Sequence, residues 1–150
     1  MRYLGAAIIA AGKPDVAESA RPPRVLIADD DEGICRAVSR LLSGSCDVVG
    51  CAVDVESVLD AVERLDPDVV LLDFRLPGSM TGLDLCRDLA ASTRVKIIAF
   101  TAFDDPDLRR MARAAGASGF VWKVQAASQL LDTISAVAGG TTQTVDDGSA

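Results

Sequence analysis

Five short apolar runs alternate with five amphipathic segments through the middle of this chain, and the alternation limits the folds open to it. The runs are rich in Val, Ile or Phe and nearly uninterrupted, which is typical of strands covered on both faces of a parallel sheet. They are VLIA (25–28), DVVGC (47–51), VVLL (69–72), KIIAF (96–100) and GFVW (119–122). Between them, apolar residues recur three or four positions apart, as at Ile34, Val38 and Leu41, and this spacing predicts helices. Right-handed crossovers then predict an α/β fold, a doubly wound five-stranded parallel sheet with helices on both faces.

Proline and glycine residues set the predicted boundaries of the domain. Prolines between positions 14 and 23 indicate a linker, and a Gly-Gly pair ends the last helical pattern. We therefore expect a flexible N-terminal extension over residues 1–23, one folded domain over 24–138 and a flexible C-terminal tail over 139–150. The apolar stretch 4–11 is far too short to span a bilayer, so we expect no membrane partner.

The composition excludes several classes of function. The chain has 150 residues, of which 49% are hydrophobic, enough for one core. Its net charge of −7 argues against a broad nucleic-acid surface, which needs clustered Lys and Arg. The lack of histidine excludes Ser-His-Asp and Cys-His catalysis and histidine-based zinc sites. None of the four cysteines forms a C-x-x-C pair, so we expect buried, reduced thiols in a cytoplasmic protein.

Polar residues of distinct kinds follow four of the five apolar runs. Asp29–Asp31 follow the first run, Asp73 the third, Thr101 the fourth and Lys123 the fifth. Because the carboxyl ends of parallel strands meet at one edge of such a sheet, we expect these groups to converge there. Two carboxylates about 4 Å apart repel by roughly 4 kcal/mol at an effective dielectric of 20, so the acidic cluster needs a counter-charge. An all-oxygen site of this kind suits Mg²⁺ better than zinc or copper.

These groups together indicate phosphoryl chemistry. A carboxylate beside Mg²⁺ and Lys123 can act as a nucleophile toward phosphorus and form an acyl phosphate. The metal and the lysine neutralise charge on the transferring group, while the Thr101 hydroxyl can bond a phosphoryl oxygen.

The chain resembles the receiver domains of bacterial two-component response regulators. The stretches that carry the resemblance are VLIADDDE, PDVVLLDFRLPG, GLDL, IIAFTA and AGASGFVWK, spread over nearly all of residues 24–138. The resemblance implies a flavodoxin-like (βα)5 sheet with strand order 2-1-3-4-5. It also implies that Asp73 is the phospho-acceptor and that Asp29 and Asp30 hold Mg²⁺, with Asp30 expected as the direct ligand. The backbone carbonyl of Arg75 matches the third protein ligand of the metal.

The resemblance also implies a switch. Thr101 matches the switch hydroxyl, and the backbone N–H of Ala102 can reach the phosphoryl group. Lys123 matches the family's lysine, and Phe120 matches the aromatic residue that moves inward when Thr101 is drawn toward the phosphate. Asp31 lies past the acidic pair, and we expect it to cap the first helix.

The sequence departs from the family's pattern in the loop after Asp73. The segment FRLPGSMTG carries one residue more than usual before the next helix, so we expect Arg75, Ser79 and Met80 to shape the mouth of the site unusually. Arg75 and Phe103 match the positions that flank the water that hydrolyses the acyl phosphate. A bulky Phe103 would shield that bond and slow its loss.

Two further departures concern the fifth strand and the segment after it. Val124 replaces the common proline, so a cis peptide after Lys123 is not expected, because non-proline cis bonds cost about 3 kcal/mol. The branch of regulators with a helix-turn-helix output often lacks that proline too, and SQLLDTISAVAGG resembles its last receiver helix. Phe120 stands where the family often has Tyr, so the switch would depend on packing alone.

The function expected from the resemblance is a signalling switch. A partner histidine kinase or histidine phosphotransfer protein would phosphorylate Asp73, remodelling the surface of the fourth helix, fifth strand and fifth helix to control a partner or an output domain. That surface could also form a homodimer. The output could be transcription regulation, but we expect no direct DNA binding by this chain.

Three alternatives remain open on the sequence. The first is a phosphohydrolase, although Arg75 stands where those enzymes need a second acid, so we expect no enzyme beyond chemistry on Asp73 itself. The second is a docking module that is never phosphorylated. The third and weaker one is a flavin-binding protein, but the acidic DDDE segment would repel the phosphate of the flavin.

Overall fold

The computed structural model describes residues 21–140, which form five α/β units. The predicted extension and tail lie outside these residues, apart from their innermost positions. In chain order the elements are β1 Arg24–Ala28, α1 Glu32–Leu42, β2 Asp47–Ala52, α2 Val55–Leu65, β3 Val69–Leu72, α3 Gly82–Ser92, β4 Lys96–Thr101, α4 Pro106–Ala114, β5 Gly119–Trp122 and α5 Ala126–Ala138, with a 3-10 turn at Lys123–Gln125.

The five strands are all parallel and lie in the order β2-β1-β3-β4-β5. The predicted doubly wound sheet with order 2-1-3-4-5 is therefore confirmed. Alternate residues of one strand enter different cores, as the strand geometry requires. Leu26 of β1 belongs to the core on the side of α2, α3 and α4, whereas Ile27 belongs to the core on the side of α1 and α5.

The edge strand β2 differs from the other four. Only Ala52 of its six residues is buried, so the prediction of strands covered on both faces is wrong here. Both β2 and β5 lack a neighbour on one side, yet β5 is buried, so apolar content alone does not reveal which edge strand is left exposed. Its register with β1 also shifts by one residue, because Val25 pairs with Val48 and Leu26 with Gly50.

A disulfide joins Cys35 of α1 to Cys51 of β2. The prediction of four buried, reduced thiols is therefore wrong for this pair, whereas Cys46 and Cys86 are free. The error has a simple origin, because the two residues are 16 positions apart on different elements and meet only through the packing of α1 on the sheet edge. Burial raises the pKa of the remaining thiols, to about 11 for Cys86.

Within residues 21–140, no helix has the length and apolar character needed to cross a membrane. No peptide bond in this part of the chain is cis, which confirms the expectation for the bond between Lys123 and Val124.

Candidate functional site

Three carboxylates meet at the carboxyl edge of the sheet. Asp29 and Asp30 directly follow β1, Asp73 directly follows β3, and these two strands are hydrogen-bonded neighbours. One oxygen from each carboxylate lies within 4.8 Å of the others. Asp29 and Asp73 are buried, with 1% and 7% of their surface exposed, whereas Asp30 faces solvent. The sequence prediction that these acids converge is confirmed.

Lys123 supplies the positive charge in this cluster. It begins the 3-10 turn after β5, and its side chain reaches past β4 to the two buried acids. Its Nζ lies 2.5 Å from Asp29 Oδ2 and 3.2 Å from Asp73 Oδ2. Partial burial alone would lower the pKa of Lys123, but the hydrogen bond to Asp29 and the charges of Asp73 and Asp29 outweigh it and raise the pKa above its usual value. The ammonium group therefore stays charged at neutral pH.

Backbone donors orient the two buried carboxylates. The N–H of Asp31 donates to Asp29 Oδ1 at 2.9 Å, and the N–H of Arg75 donates to Asp73 Oδ1 at 2.9 Å. Asp31 itself accepts bonds from the first turn of α1, at Gly33 N and Ile34 N, so its predicted role as a helix cap is confirmed. The three consecutive aspartates thus have three different environments.

The acidic cluster fits a divalent cation. Three carboxylates and one ammonium leave a net formal charge of −2, and the donors are all hard oxygens of the kind that Mg²⁺ prefers. Both oxygens of Asp29 already accept hydrogen bonds. Asp30, by contrast, has no hydrogen bond or ion pair anywhere in the described part of the chain, so its carboxylate is open to a ligand. The roles of Asp30 and of the Arg75 carbonyl as ligands stay predictions.

Thr101 and Phe120, the two predicted switch residues, lie on adjacent strands. Thr101 ends β4, is almost fully buried, and its Oγ1 accepts the N–H of Phe103 at 3.2 Å. Phe120 pairs with Ala99 across β4 and β5, and it is 8% exposed within the core. The guanidinium of Arg109 on α4 lies 5.2 Å from the centroid of the Phe120 ring. The aromatic residue expected to move is therefore already packed inward and covered by a cation.

The loop after Asp73 docks mainly on the start of α2. Val55 N donates to Pro77 O at 2.9 Å, and Ser79 N donates to Glu56 at 3.1 Å. Met80 packs against the core. At Gly82, an added Cβ would meet the backbone of Phe74 at 2.4 Å, so the return of the loop toward α3 depends on glycine.

The unusual shape of the mouth of the site stays a prediction, and the three residues expected to form it make different contacts. Ser79 is anchored on α2, whereas Met80 packs against the core formed by the helices and the sheet. Arg75 remains near Asp73, and its guanidinium lies 5.3 Å from the ring centroid of Phe103. Phe103 is 53% exposed, so this pair forms an outer wall rather than part of the core.

Sequence reasoning missed two residues that contact the predicted machinery. Arg109 covers Phe120, and Trp122 donates its indole N–H to the carbonyl of Ala102 at 3.0 Å. The predicted strand order was the only available signal, because it places the end of β5 beside the end of β4.

Comparison with known families identifies this arrangement. The sequence matches the profile of the response regulator receiver domain over residues 25–135. The chain belongs to this family. Receiver domains of two-component systems are phosphorylation-dependent signalling modules that interact with histidine kinases and typically use Mg²⁺ at an acidic cluster such as Asp29, Asp30 and Asp73.

Two curated relatives of this chain are longer proteins. It is 36% identical over 143 residues to the "Sensory/regulatory protein RpfC" of Xanthomonas campestris pv. campestris, covering 91% of this chain and 20% of that protein. It is 37% identical over 118 residues to the "Probable transcriptional regulatory protein NarL" of Mycobacterium tuberculosis, covering 74% of this chain and 52% of that protein. The receiver domain therefore spans from one fifth to about half of the length of these relatives.

A solved structure supports the same assignment. The signal receiver domain of NarL from Mycobacterium tuberculosis superposes with a TM-score of 0.73 at 31% identity, covering 80% of this chain and 98% of that one.

Proposed function

We propose that this receiver domain is a switch that accepts a phosphoryl group on Asp73 from a partner histidine kinase or histidine phosphotransfer protein. The observation that carries the proposal is the placement of Asp73, whose Oδ2 lies 3.2 Å from Lys123 Nζ and which shares a 4.8 Å cluster with Asp29 and Asp30. A nucleophilic carboxylate, a cation and a metal-binding acidic pair are the groups that phosphoryl transfer to an aspartate requires.

The proposed transfer is a single displacement at phosphorus. A carboxylate oxygen of Asp73 forms the new bond, and the phosphorus–nitrogen bond of the donor's phosphohistidine breaks. Its electron pair stays on the imidazole nitrogen, which takes up a proton. Because residues 1–150 contain no histidine, the phosphohistidine is not supplied by this part of the sequence. Lys123 stabilises the negative charge on the phosphoryl oxygens, and Mg²⁺ held by Asp29, Asp30, Asp73 and the Arg75 carbonyl would supply further positive charge there.

The phosphoryl group adds about −1.5 to −2 charges and three strong acceptor oxygens to the site. In the proposed switch, the Thr101 hydroxyl and the Ala102 N–H donate to these oxygens, and the packing of Phe120 changes in response. The equilibrium between two conformations of the surface formed by α4, β5 and α5 then shifts, and the favoured conformation controls a partner or an output domain. A homodimer through the same α4–β5–α5 surface is one form this control could take.

We infer that the chain acts on itself rather than as an enzyme with turnover. Arg75 stands two residues beyond Asp73, where an aspartyl-phosphate hydrolase would carry an acid, and its side chain lies on Phe103. Multiple turnovers of a phosphate monoester by the purified chain would contradict this inference. Sustained absence of turnover, with phosphorylation of Asp73 intact, is the expected result.

We also propose a cytoplasmic location and no direct DNA binding by residues 1–150. The net charge of −7 gives DNA no favourable field, so any transcription regulation would act through another domain or partner. Sequence-specific retardation of DNA by the phosphorylated chain in a gel-shift assay would overturn the second point.

The central test uses acetyl phosphate and Mg²⁺, followed by intact mass spectrometry. We expect one added phosphoryl group, formed as the phosphorus–oxygen bond of the donor breaks and acetate leaves. Asp73→Asn should abolish the adduct, and a chelator should prevent it. Asp88→Asn, which changes an exposed carboxylate on α3 and the net charge by the same amount, is the matched control and should retain it. An adduct that persists in Asp73→Asn would place the chemistry elsewhere, and no adduct with any donor would favour the docking module.

A further inference from the structure

The peptide group between Ala102 and Phe103 is held on both of its polar sides. Its carbonyl, on Ala102, accepts the indole Nε1–H of Trp122 at 3.0 Å. Its N–H, on Phe103, donates to Thr101 Oγ1 at 3.2 Å. Two side chains from the ends of adjacent strands therefore fix the plane of the first peptide in the loop from β4 to α4.

The hydrogen bonds made by Thr101 and by Trp122 differ in whether they persist during the proposed reaction. Thr101 is the hydroxyl that would turn toward a phosphoryl oxygen, and turning weakens its hold on the Phe103 N–H. Trp122 has no such second task, because an indole N–H is a donor only and its partner is a backbone carbonyl. Trp122 also pairs with Thr101 across β4 and β5 and directly precedes Lys123, so its backbone is fixed by the sheet.

We propose that Trp122 is a positioning residue for phosphoryl transfer to Asp73. Its indole holds the Ala102 carbonyl and so keeps the Ala102 end of the loop in place while the Thr101 hydroxyl engages the phosphoryl group. The inference rests on the proposed function, since it assigns a role to the backbone of Ala102 during phosphorylation. The only side-chain hydrogen bond of Trp122 within the described residues is to the Ala102 carbonyl and not to any of the three carboxylates, so its effect should fall on the transfer step and not on metal binding.

The test depends on removing the donor without removing the ring. The chain has a single tryptophan, so replacing all tryptophan during expression changes only this site. The analogue β-(3-benzothienyl)alanine keeps the bicyclic shape but replaces the N–H with sulfur, whereas 7-azatryptophan keeps the N–H. Trp122→Phe is an additional variant made by ordinary mutagenesis. Each form of the full chain is assayed with acetyl phosphate for the maximal phosphorylation rate and for the Mg²⁺ concentration that gives half of it.

We expect the benzothienyl form and Trp122→Phe to lower the maximal rate roughly two- to tenfold, the range for loss of one hydrogen bond, with the half-saturating Mg²⁺ concentration unchanged. The 7-azatryptophan form should keep the rate of the unmodified chain. An unchanged rate in the benzothienyl form would overturn the proposal. So would an equal loss in both analogues, which would assign the effect to packing, or a parallel rise in the Mg²⁺ requirement.

Failure of this inference is distinguishable from failure of the proposed function. If the unmodified chain gains a phosphoryl group on Asp73 and the analogues behave identically, only the role of Trp122 is wrong. If the unmodified chain gains none, the proposed function itself is wrong.

Discussion

The guanidinium of Arg75 lies over the ring of Phe103, 5.3 Å from its centroid. The two residues come from different loops, one after β3 and the other after β4, so their contact joins the loops that follow Asp73 and Thr101. Each stands two positions beyond a residue of the proposed machinery, Asp73 and Thr101 respectively.

This contact predicts a long-lived acyl phosphate. Truncation in Phe103→Ala should open a path for water and shorten the half-life of phosphorylated Asp73 roughly two- to fivefold, in line with about 0.5–1 kcal/mol for an exposed cation–π pair. The half-life is measured by intact mass after removal of the phosphodonor. Arg75→Ala should shorten it similarly, and the double variant should add little beyond either. An unchanged half-life in Phe103→Ala would remove the proposed shielding role.

Asp30 and its neighbour Asp31 should differ in how their substitution changes the response to Mg²⁺. In the unmodified chain, saturating Mg²⁺ should raise the melting temperature, because a ligand that binds only the folded state stabilises it. Asp30→Asn should lose most of that increase while being at least as stable as the unmodified chain without metal, since Asp30 has no partner to lose within the described residues and its charge adds to the repulsion in the cluster. The measurement is thermal unfolding at increasing Mg²⁺ concentrations.

Asp31→Asn is the matched control for this experiment. It changes the charge by the same amount one residue away, and asparagine caps a helix about as well as aspartate. Its Mg²⁺ response should resemble that of the unmodified chain. Equal responses in Asp30→Asn and Asp31→Asn would argue against Asp30 as a ligand.

Removal of the ammonium group of Lys123 should lower the free energy of unfolding. Lys123→Met leaves the buried carboxylate of Asp29 without its counter-charge, and breaking such a pair costs about 3 kcal/mol at the lower end of the known range. Urea unfolding without metal measures the loss, and Lys96→Met, at an exposed lysine on β4, is the control with little expected effect. Mg²⁺ should recover part of the loss in Lys123→Met, because it supplies positive charge to the same carboxylates. A free energy of unfolding equal to that of the unmodified chain would contradict the pairing.

The bond between Cys35 and Cys51 should make stability depend on redox conditions. Reduction opens a loop of 16 residues, for which chain entropy gives about 3 kcal/mol. Dithiothreitol should therefore lower the free energy of unfolding of the unmodified chain but leave Cys51→Ser unaffected. Cys46→Ser, which removes a free thiol, should keep the sensitivity. Alkylation of all four cysteines in the unfolded, unreduced protein would show that the bond does not form.

The sequence was most informative where local chemistry and strand ends coincide. Asp29, Asp73, Thr101 and Lys123 could be placed together because each directly follows an apolar run, and parallel strands bring their carboxyl ends to one edge. The same reasoning could not show that Lys123 contacts Asp29 more closely than Asp73, since that depends on the length and path of one side chain across β4.

Features set by packing between distant segments were missed for a related reason. Three contacts of this kind join distant elements, and a single sequence does not reveal that these elements meet. They are the hydrogen bond from Ser79 to Glu56, the contact of Arg109 with Phe120 and the disulfide between Cys35 and Cys51. Each requires the tilt and separation of the elements, which follow from the whole core rather than from any local pattern.

The length of α5 restricts how a phosphorylated Asp73 can be sensed beyond the domain. The helix runs 13 residues, about 20 Å, from the turn that holds Lys123 to Ala138, which lies beside Arg24 and Lys96 at the opposite edge of the sheet. Mobile ions screen surface charge within about 8 Å under physiological conditions. The electrostatic field of the phosphoryl group on Asp73 would therefore be largely screened at a module joined after this helix. Such a module would have to respond to a displacement of α5, which follows the turn that holds Lys123.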